Sequence, residues 1–509
     1  MRTRGLLSLV AIVLGAVSLL IPTLIVGHPD VFPDTSAYEL IGQWCLEQLG
    51  LHPQGGYGYL HHRADLKMFF TIAGARSPFY GMLLFAVTNR GSAWAMAALQ
   101  ALAASTLIGL ATRVVLGRWR LVEYGLVIAV ATLASTLPFF VSFMMPDVFT
   151  GLGALAAILL LFYFDKLSLA ERWGLGGGLT LALSVHATNG PVVLSLALVG
   201  AVGLLARRYR IPAAPAPGAR KGLAVVVGCA GLAMLAGALY PGTVERLSHR
   251  RLSRPPFLSA RLLADGPGRD YLKTVCAHAS PFALCAFQTR PMFDANAILW
   301  ATDRRRGVFE TADYATRLAM TRQEPAFVAG AIGAEPLRTA WLLLRDSAFE
   351  LTDVSILDTL GYSDRGLIAR GPRLPAITLA GGTCVRHPSY CNSTPFQMAS
   401  EDVFRWTLIA AAVYLAVRLA CGARRVRAVL RLPPLPPRLA WTIGALFVLL
   451  LANAVICGAI SGVYPRYEMR IAWLAPLFAV LVGLDSTPLA ATRRSVAMPA
   501  AVARTSGPP

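Results

Sequence analysis

Mostly apolar stretches recur along the chain, and a run of about 20 such residues is long enough to cross a bilayer as a helix. The first covers residues 6–26, uncharged and preceded by Arg2 and Arg4. It exceeds the ~7–15 apolar residues of a signal peptide, and no small-residue cleavage pattern follows it. It therefore reads as an anchored first helix. Further spans are predicted at 93–111, 124–145, 148–164, 173–186, 191–206 and 222–240. After a long polar stretch come 404–421, 441–463 and 471–484, giving about ten transmembrane helices. The apolar runs at 68–72 and 79–88 are too short to span and read as interfacial or re-entrant helices.

Charge orients these spans. The chain carries 47 Lys+Arg against 27 Asp+Glu, a net +20. In a soluble protein that excess would suggest nucleic acid. Here 55% of residues are hydrophobic and only 15% charged, well below the roughly 25% of a soluble chain. A nucleic-acid partner is therefore not expected, and membrane lipid is. Ten spans gather Arg118 and Arg120, Lys166 and Arg172, the linkers 207–221 and 418–438, and Arg493 and Arg494 on the side of Arg2 and Arg4. The short loops 146–147 and 187–190 opposite carry no Lys or Arg. Basic loops stay in the cytoplasm, so both termini are expected there.

The predicted organisation is a transmembrane module over 1–240 with a first outer loop at 27–92, an outer domain at 241–402, closing helices at 403–485 and a disordered cytoplasmic tail at 486–509. The fold class is all-α, polytopic, with a mixed or α-rich domain between spans seven and eight. Eight cysteines in 509 residues are too dilute for a disulfide scaffold. In the outer domain, however, Cys276 and Cys285 flank eight residues, and Cys384 and Cys391 flank six. In an oxidising compartment these close pairs suggest two small-loop disulfides. No CxxC or HxxxH pattern argues for a structural zinc.

Candidate chemistry lies at the outer helix ends. Asp34 follows the first span, where it is placed to cap an amphipathic helix over 35–49 or to act on a substrate; Asp30 is its rival in the same loop. Asp147 occupies a tight turn between two long spans, where an acid is costly and by default functional; the alternative is an N-cap for the helix from Val148. Arg466 and Arg470, in the outer loop Tyr-Pro-Arg-Tyr-Glu-Met-Arg, break the positive-inside trend. Their planar guanidinium groups suit phosphate, with snorkelling at the membrane surface beside Tyr467 the alternative. Arg76 is of the same kind. His61 and His62 are adjacent, so they cannot share one helix face as metal ligands; one is a candidate substrate contact. His186 and Asn189 read as a polar turn. An acid beside a reacting hydroxyl and arginines on a phosphate are the equipment for transfer from a lipid-linked phosphate.

These pieces, Pro33-Asp34-Thr-Ser-Ala-Tyr38, Arg76-Ser-Pro-Phe-Tyr80, Pro146-Asp147 and Pro465-Arg466-Tyr467, resemble in order and topology the GT-C-fold membrane glycosyltransferases. That group includes the protein O-mannosyltransferases and the aminoarabinose transferase of lipid A. The shared outline covers roughly the first 210 residues and the last 70. The resemblance implies inverting transfer of a sugar from a polyprenyl-phosphate donor to an acceptor (glycan, lipid or protein) at the periplasmic face of a bacterial inner membrane. It places Asp34 as the first-loop catalytic acid and Asp147 as the second acidic position. Arg466 falls near the donor phosphate, with Tyr38, Arg76, Tyr467 and Arg470 beside the substrates. Some relatives use a divalent metal, but this chain shows no extra acidic cluster demanding one. The outer domain matches no acceptor-binding module of the group. A polyprenyl-diphosphate-glycan polymerase or ligase, a transporter or flippase, and a non-catalytic scaffold are the alternatives.

Overall fold

The computed structural model describes residues 2–26, 29–30, 32–51, 73–90, 92–209, 218–278, 281–356, 395–421, 432–433 and 435–486. Regular structure among them is helical. In order these helices are α1 (Arg2–Leu19), α2 (Ile21–Val26), α3 (Pro33–Gln48), α4 (Pro78–Arg90), α5 (Ala93–Leu116), α6 (Leu121–Leu133), α7 (Leu137–Ser142), α8 (Asp147–Tyr163), α9 (Leu169–Val185), α10 (Asn189–Arg208), α11 (Ala219–Ser248), α12 (Phe257–Asp265), α13 (Pro267–His278), α14 (Ala295–Trp300), α15 (Tyr314–Ala334), α16 (Pro336–Thr352), α17 (Pro395–Ala420), α18 (Pro437–Ile460), α19 (Pro465–Ala472) and α20 (Leu474–Asp485).

The bundle is built round α8. Its sequence is apolar on every side, and such a helix belongs in an interior. Every residue from Thr150 to Tyr163 is indeed buried, with α5, α9, α10, α11, α18 and α19 against the helix. Seven stretches among the described residues are long and apolar enough to cross a membrane: α5, Asp147–Lys166, α10, α11, Ala399–Ala420, α18, and α19 with α20 as Pro465–Asp485. They become eight if α15 and α16, which meet at a 103° bend, form one broken span. The chain is thus a helical, multi-pass membrane protein.

The other three predicted spans are short or interrupted. The apolar run 6–26 divides at Leu20 into α1 and α2. The run 124–145 ends as a helix at Leu133 and resumes as α7. Ser135 and Thr136 interrupt it, as hydroxyls that compete for backbone groups do. Ser135 Oγ donates to Ala131 O at 2.6 Å and accepts from Leu137 N at 3.3 Å. The run 173–186 belongs to α9, which starts earlier. There Ser168 and Glu171 form a reciprocal capping box, with Ser168 N donating to Glu171 Oε2 at 2.8 Å.

Residues 260–327 carry a separate helical core, with Leu263, Leu272, Ile298, Phe309 and Phe327 inside it. Cys276 and Cys285 are joined as expected, with Cα atoms 5.6 Å apart. Cys384 and Cys391 lie outside the described residues. The helix entering this region, α11, continues through Pro241 to Ser248, beyond the boundary expected at 240.

Candidate functional site

Two ion pairs and one unpaired guanidinium converge where α3, α8 and α19 begin. α3 starts at Pro33, whose fixed φ suits the first helical position. Asp34 does not cap it. Thr35 does the local work: its hydroxyl accepts from Phe32 N at 2.9 Å and donates to Met144 O at 3.1 Å. This second bond ties α3 to the turn before α8. Asp34 is left free to pair with Arg76, Oδ1 to Nη2 at 2.7 Å. α3 and α4 can approach closely because Gly42 meets Gly81 backbone to backbone, where a Cβ would collide. That approach places Tyr38 edge-on against Tyr80, with ring centroids 5.0 Å apart.

Asp147 is the first residue of α8, and it too makes no cap. It faces Arg470 Nη1 at 3.7 Å, close enough for an ion pair but not for a hydrogen bond. Gly151, one turn along, makes this possible. A Cβ there would come within 2.7 Å of Arg470 O, so only glycine lets α19 lie this close to α8. The Arg470 guanidinium is fully buried; its Nη2 donates to Thr188 Oγ1 at 2.9 Å and Asn453 Oδ1 at 3.2 Å. Asn453 Nδ2 in turn donates to Glu468 Oε2 at 2.9 Å and Tyr467 O at 2.7 Å.

Unlike Arg76 and Arg470, Arg466 makes no ion pair among the described residues. It shares a face of α19 with Arg470, four residues apart. Its guanidinium stacks on Phe32 at 4.2 Å and lies 5.1 Å from the Tyr467 ring. Arg470 lies 5.0 Å from that same ring, so Tyr467 sits between two arginines. Nη2 of Arg466 contacts Tyr467 Oη at 3.4 Å, while its buried Nε and Nη1, like those of Arg470, have no hydrogen-bond partner. Unmet buried donors are costly, and a charged one is more so.

The groups feel one another. The Arg76 guanidinium is surrounded by the negative ends of Asp34, Tyr38 and Tyr467; despite burial they hold it firmly protonated. Burial pushes the Tyr38 phenol well above its ordinary range, so it is a hydrogen-bonding group, not a base. His186 lies in the same network, Nδ1 2.8 Å from Thr188 Oγ1. Burial and the charges of Arg470, Arg466 and Arg76 keep its imidazole neutral, well below its usual pKa. Thr188 N also donates to Nδ1 at 3.3 Å, which leaves the ring proton on Nε2.

The predicted residues Asp34, Tyr38, Arg76, Asp147, Arg466, Tyr467 and Arg470 therefore share one neighbourhood. His61 and His62 lie outside the described residues. Asp30 stands apart from the cluster. Its backbone exchanges hydrogen bonds with Ser142 O at 3.1 Å and Met144 N at 2.8 Å, and its carboxylate meets Ser142. Asn189 is structural: it accepts from Thr150 at 2.7 Å and donates to Ala182 O at 2.7 Å. Sequence reasoning missed Thr188, Asn453, Cys457 and Glu468. Asn453 had a usable signal, an amide in an otherwise apolar span. Cys457, whose Sγ lies 3.2 Å from Arg470 Nη2, had none.

Chemically the arrangement offers a carboxylate paired with Arg76, at 25% side-chain exposure, beside a buried guanidinium with two spare donors. No three His, Cys, Asp or Glu side chains cluster as a metal ligand set among the described residues. Comparison with known protein families, curated proteins and solved structures finds no match for this chain.

Proposed function

We propose that the chain is a GT-C-type membrane glycosyltransferase, moving a sugar from a polyprenyl-phosphate donor to an acceptor on the periplasmic face of a bacterial inner membrane. The proposal includes the ten-span topology with both termini cytoplasmic. The observation that carries it is Arg466: a guanidinium buried at an outer helix end, with two donors unmet, next to an accessible acid. A phosphate oxygen would accept from those donors, and its charge would offset theirs.

In this reading the acceptor hydroxyl attacks the anomeric carbon from the face opposite the phosphate. Asp34 accepts the hydroxyl proton as the new C–O bond forms. The bond from the anomeric carbon to the phosphate oxygen breaks, and the phosphate leaves with the electron pair. Arg466 meets the charge it carries away. No covalent enzyme intermediate is needed, and the configuration inverts. Asp147 is a positioning residue here. At 2% side-chain exposure and paired with Arg470, it acts by fixing α19 and through it Arg466. Tyr467 braces both arginines.

The experiment is lipid mass spectrometry on the purified protein and on Asp34→Asn. A bound polyprenyl-phospho-sugar, enriched in Asp34→Asn because turnover is blocked, supports the reading and names the sugar. A polyprenyl-diphosphate oligosaccharide would replace it with a polymerase or ligase. Absence of any isoprenoid lipid from both proteins would overturn it.

A further inference from the structure

α16 lies in the stretch that sequence reading assigns wholly to a water-exposed outer domain. Its faces are inverted relative to a helix in water. Thr339, Asp346, Ser347 and Glu350 are buried, all on one side. Leu337 is 85% exposed, Trp341 66% and Leu344 66%, with Leu351 continuing the row. Positions 337, 341, 344, 348 and 351 follow the helical repeat, so they form one stripe. α13, earlier in the same region, is the ordinary case: Leu272 is buried while Lys273 and Thr274 face out.

The buried polar face is partly satisfied, by α12, by α16 itself and by the turn before α19, while Thr339 Oγ1 and Glu350 Oε1 have no hydrogen-bond partner. Asp346 pairs with Arg261 and Arg345, and Glu350 accepts from Tyr464 N at 2.8 Å. The helix lies along α18, a span long and apolar enough to cross the membrane. Gly458 of α18 makes room for it, since a Cβ there would come within 2.7 Å of Asp346 O. Beyond that seam α18 exposes Val448, Leu451, Val455 and Ile460. The outward stripe of α16 therefore extends an apolar surface that a membrane-crossing helix already presents. Arg338, at the flank, pairs with Asp270 and Glu335.

We propose that α16 is embedded in the bilayer, with its Leu337–Trp341–Leu344 stripe against lipid acyl chains and its polar face holding the Tyr464 end of the candidate site. An apolar row of this size facing water is an association site or a lipid contact. Continuity with α18 selects lipid. The inference is independent of the transferase reading, since it concerns where the helix lies and not what the site does.

The test uses the full chain in nanodiscs whose phospholipids carry bromine on the acyl chains. Bromine quenches tryptophans that touch the chains. The quenched share of emission is expected to fall in Trp341→Phe relative to wild type; equal quenching in the two would overturn the proposal. A second position guards against a folding defect. Leu344→Cys is expected to react with a membrane-impermeant maleimide at least about tenfold more slowly than Thr274→Cys, because apolar surroundings suppress the reactive thiolate. Labelling at the Thr274→Cys rate would place α16 in water and overturn it. Protection of Leu344→Cys through disulfide-linked dimers under oxidation would put a second copy there and also overturn it.

Discussion

The two acid–arginine pairs use the same chemistry in opposite circumstances. Asp34–Arg76 is short, 2.7 Å, with side chains 25% and 15% exposed. Asp147–Arg470 is long, 3.7 Å, with side chains 2% and 0% exposed. A partly solvated pair contributes little to stability. A buried pair is marginal while intact but costly to break, because the survivor is an uncompensated charge. On the proposed function the more solvated pair is the reactive one, while the buried one holds α8, α10, α18 and α19 in register.

Removing half of the inner pair should break the comparison most visibly. Arg470→Ala leaves Asp147 buried without its partner and also strips a donor from Thr188 and Asn453. It should cost about 3–5 kcal/mol, seen as a large drop in thermal midpoint in detergent or as loss of folded protein. An unchanged midpoint would mean that the inner pair is not structural.

Asp34→Asn should do the opposite. Transfer should fall by at least about 10²-fold, while the midpoint moves less than in Arg470→Ala. Normal glycosylation in cells carrying this variant would remove Asp34 from the chemistry.

Arg466→Ala sharpens the contrast between paired and unpaired arginines. Its unmet donors contribute nothing to the fold, so stability should hold or rise. Affinity for a lipid phosphate should fall by roughly 10–100-fold, the equivalent of one charged hydrogen bond at about 1.5–3 kcal/mol.

A pH-dependent effect belongs to Asp30, an acid near the same helix ends with no arginine partner shown. Burial raises its carboxyl from 3.8 to about 7. The folded state thus keeps a proton that the unfolded state releases above about pH 4. Stability should decline as pH rises from there to about 7 and then level off. In Asp30→Asn that decline should flatten, as read by thermal midpoint against pH.

The elements of this comparison were unevenly legible in the sequence. Asp34, Asp147, Arg76, Arg466 and Arg470 stood out because charge is rare at the ends of apolar spans. Their convergence followed from placing those ends on one side. Thr188 and Cys457 did not stand out, since a small uncharged polar group signals nothing until its neighbours are known. Asp34 and Asp147 read equally well as caps; Thr35 and the turn at Pro146 resolve that ambiguity only in three dimensions. The interruption at Ser135–Thr136 was hidden because flanking apolar residues outweigh two hydroxyls in a span-length average. The inversion of α16 was hidden for a related reason. Periodicity shows that a helix has two faces, but not which of them meets water.

The most direct test of the central claim is native mass spectrometry of the protein titrated with polyprenyl phosphate, comparing wild type with Arg466→Ala and Arg466→Lys. The account predicts that wild type binds one lipid phosphate, that Arg466→Ala loses the complex with its fold intact, and that Arg466→Lys recovers part of it. Equal binding by all three proteins would contradict the assignment of the unpaired guanidinium to a donor phosphate.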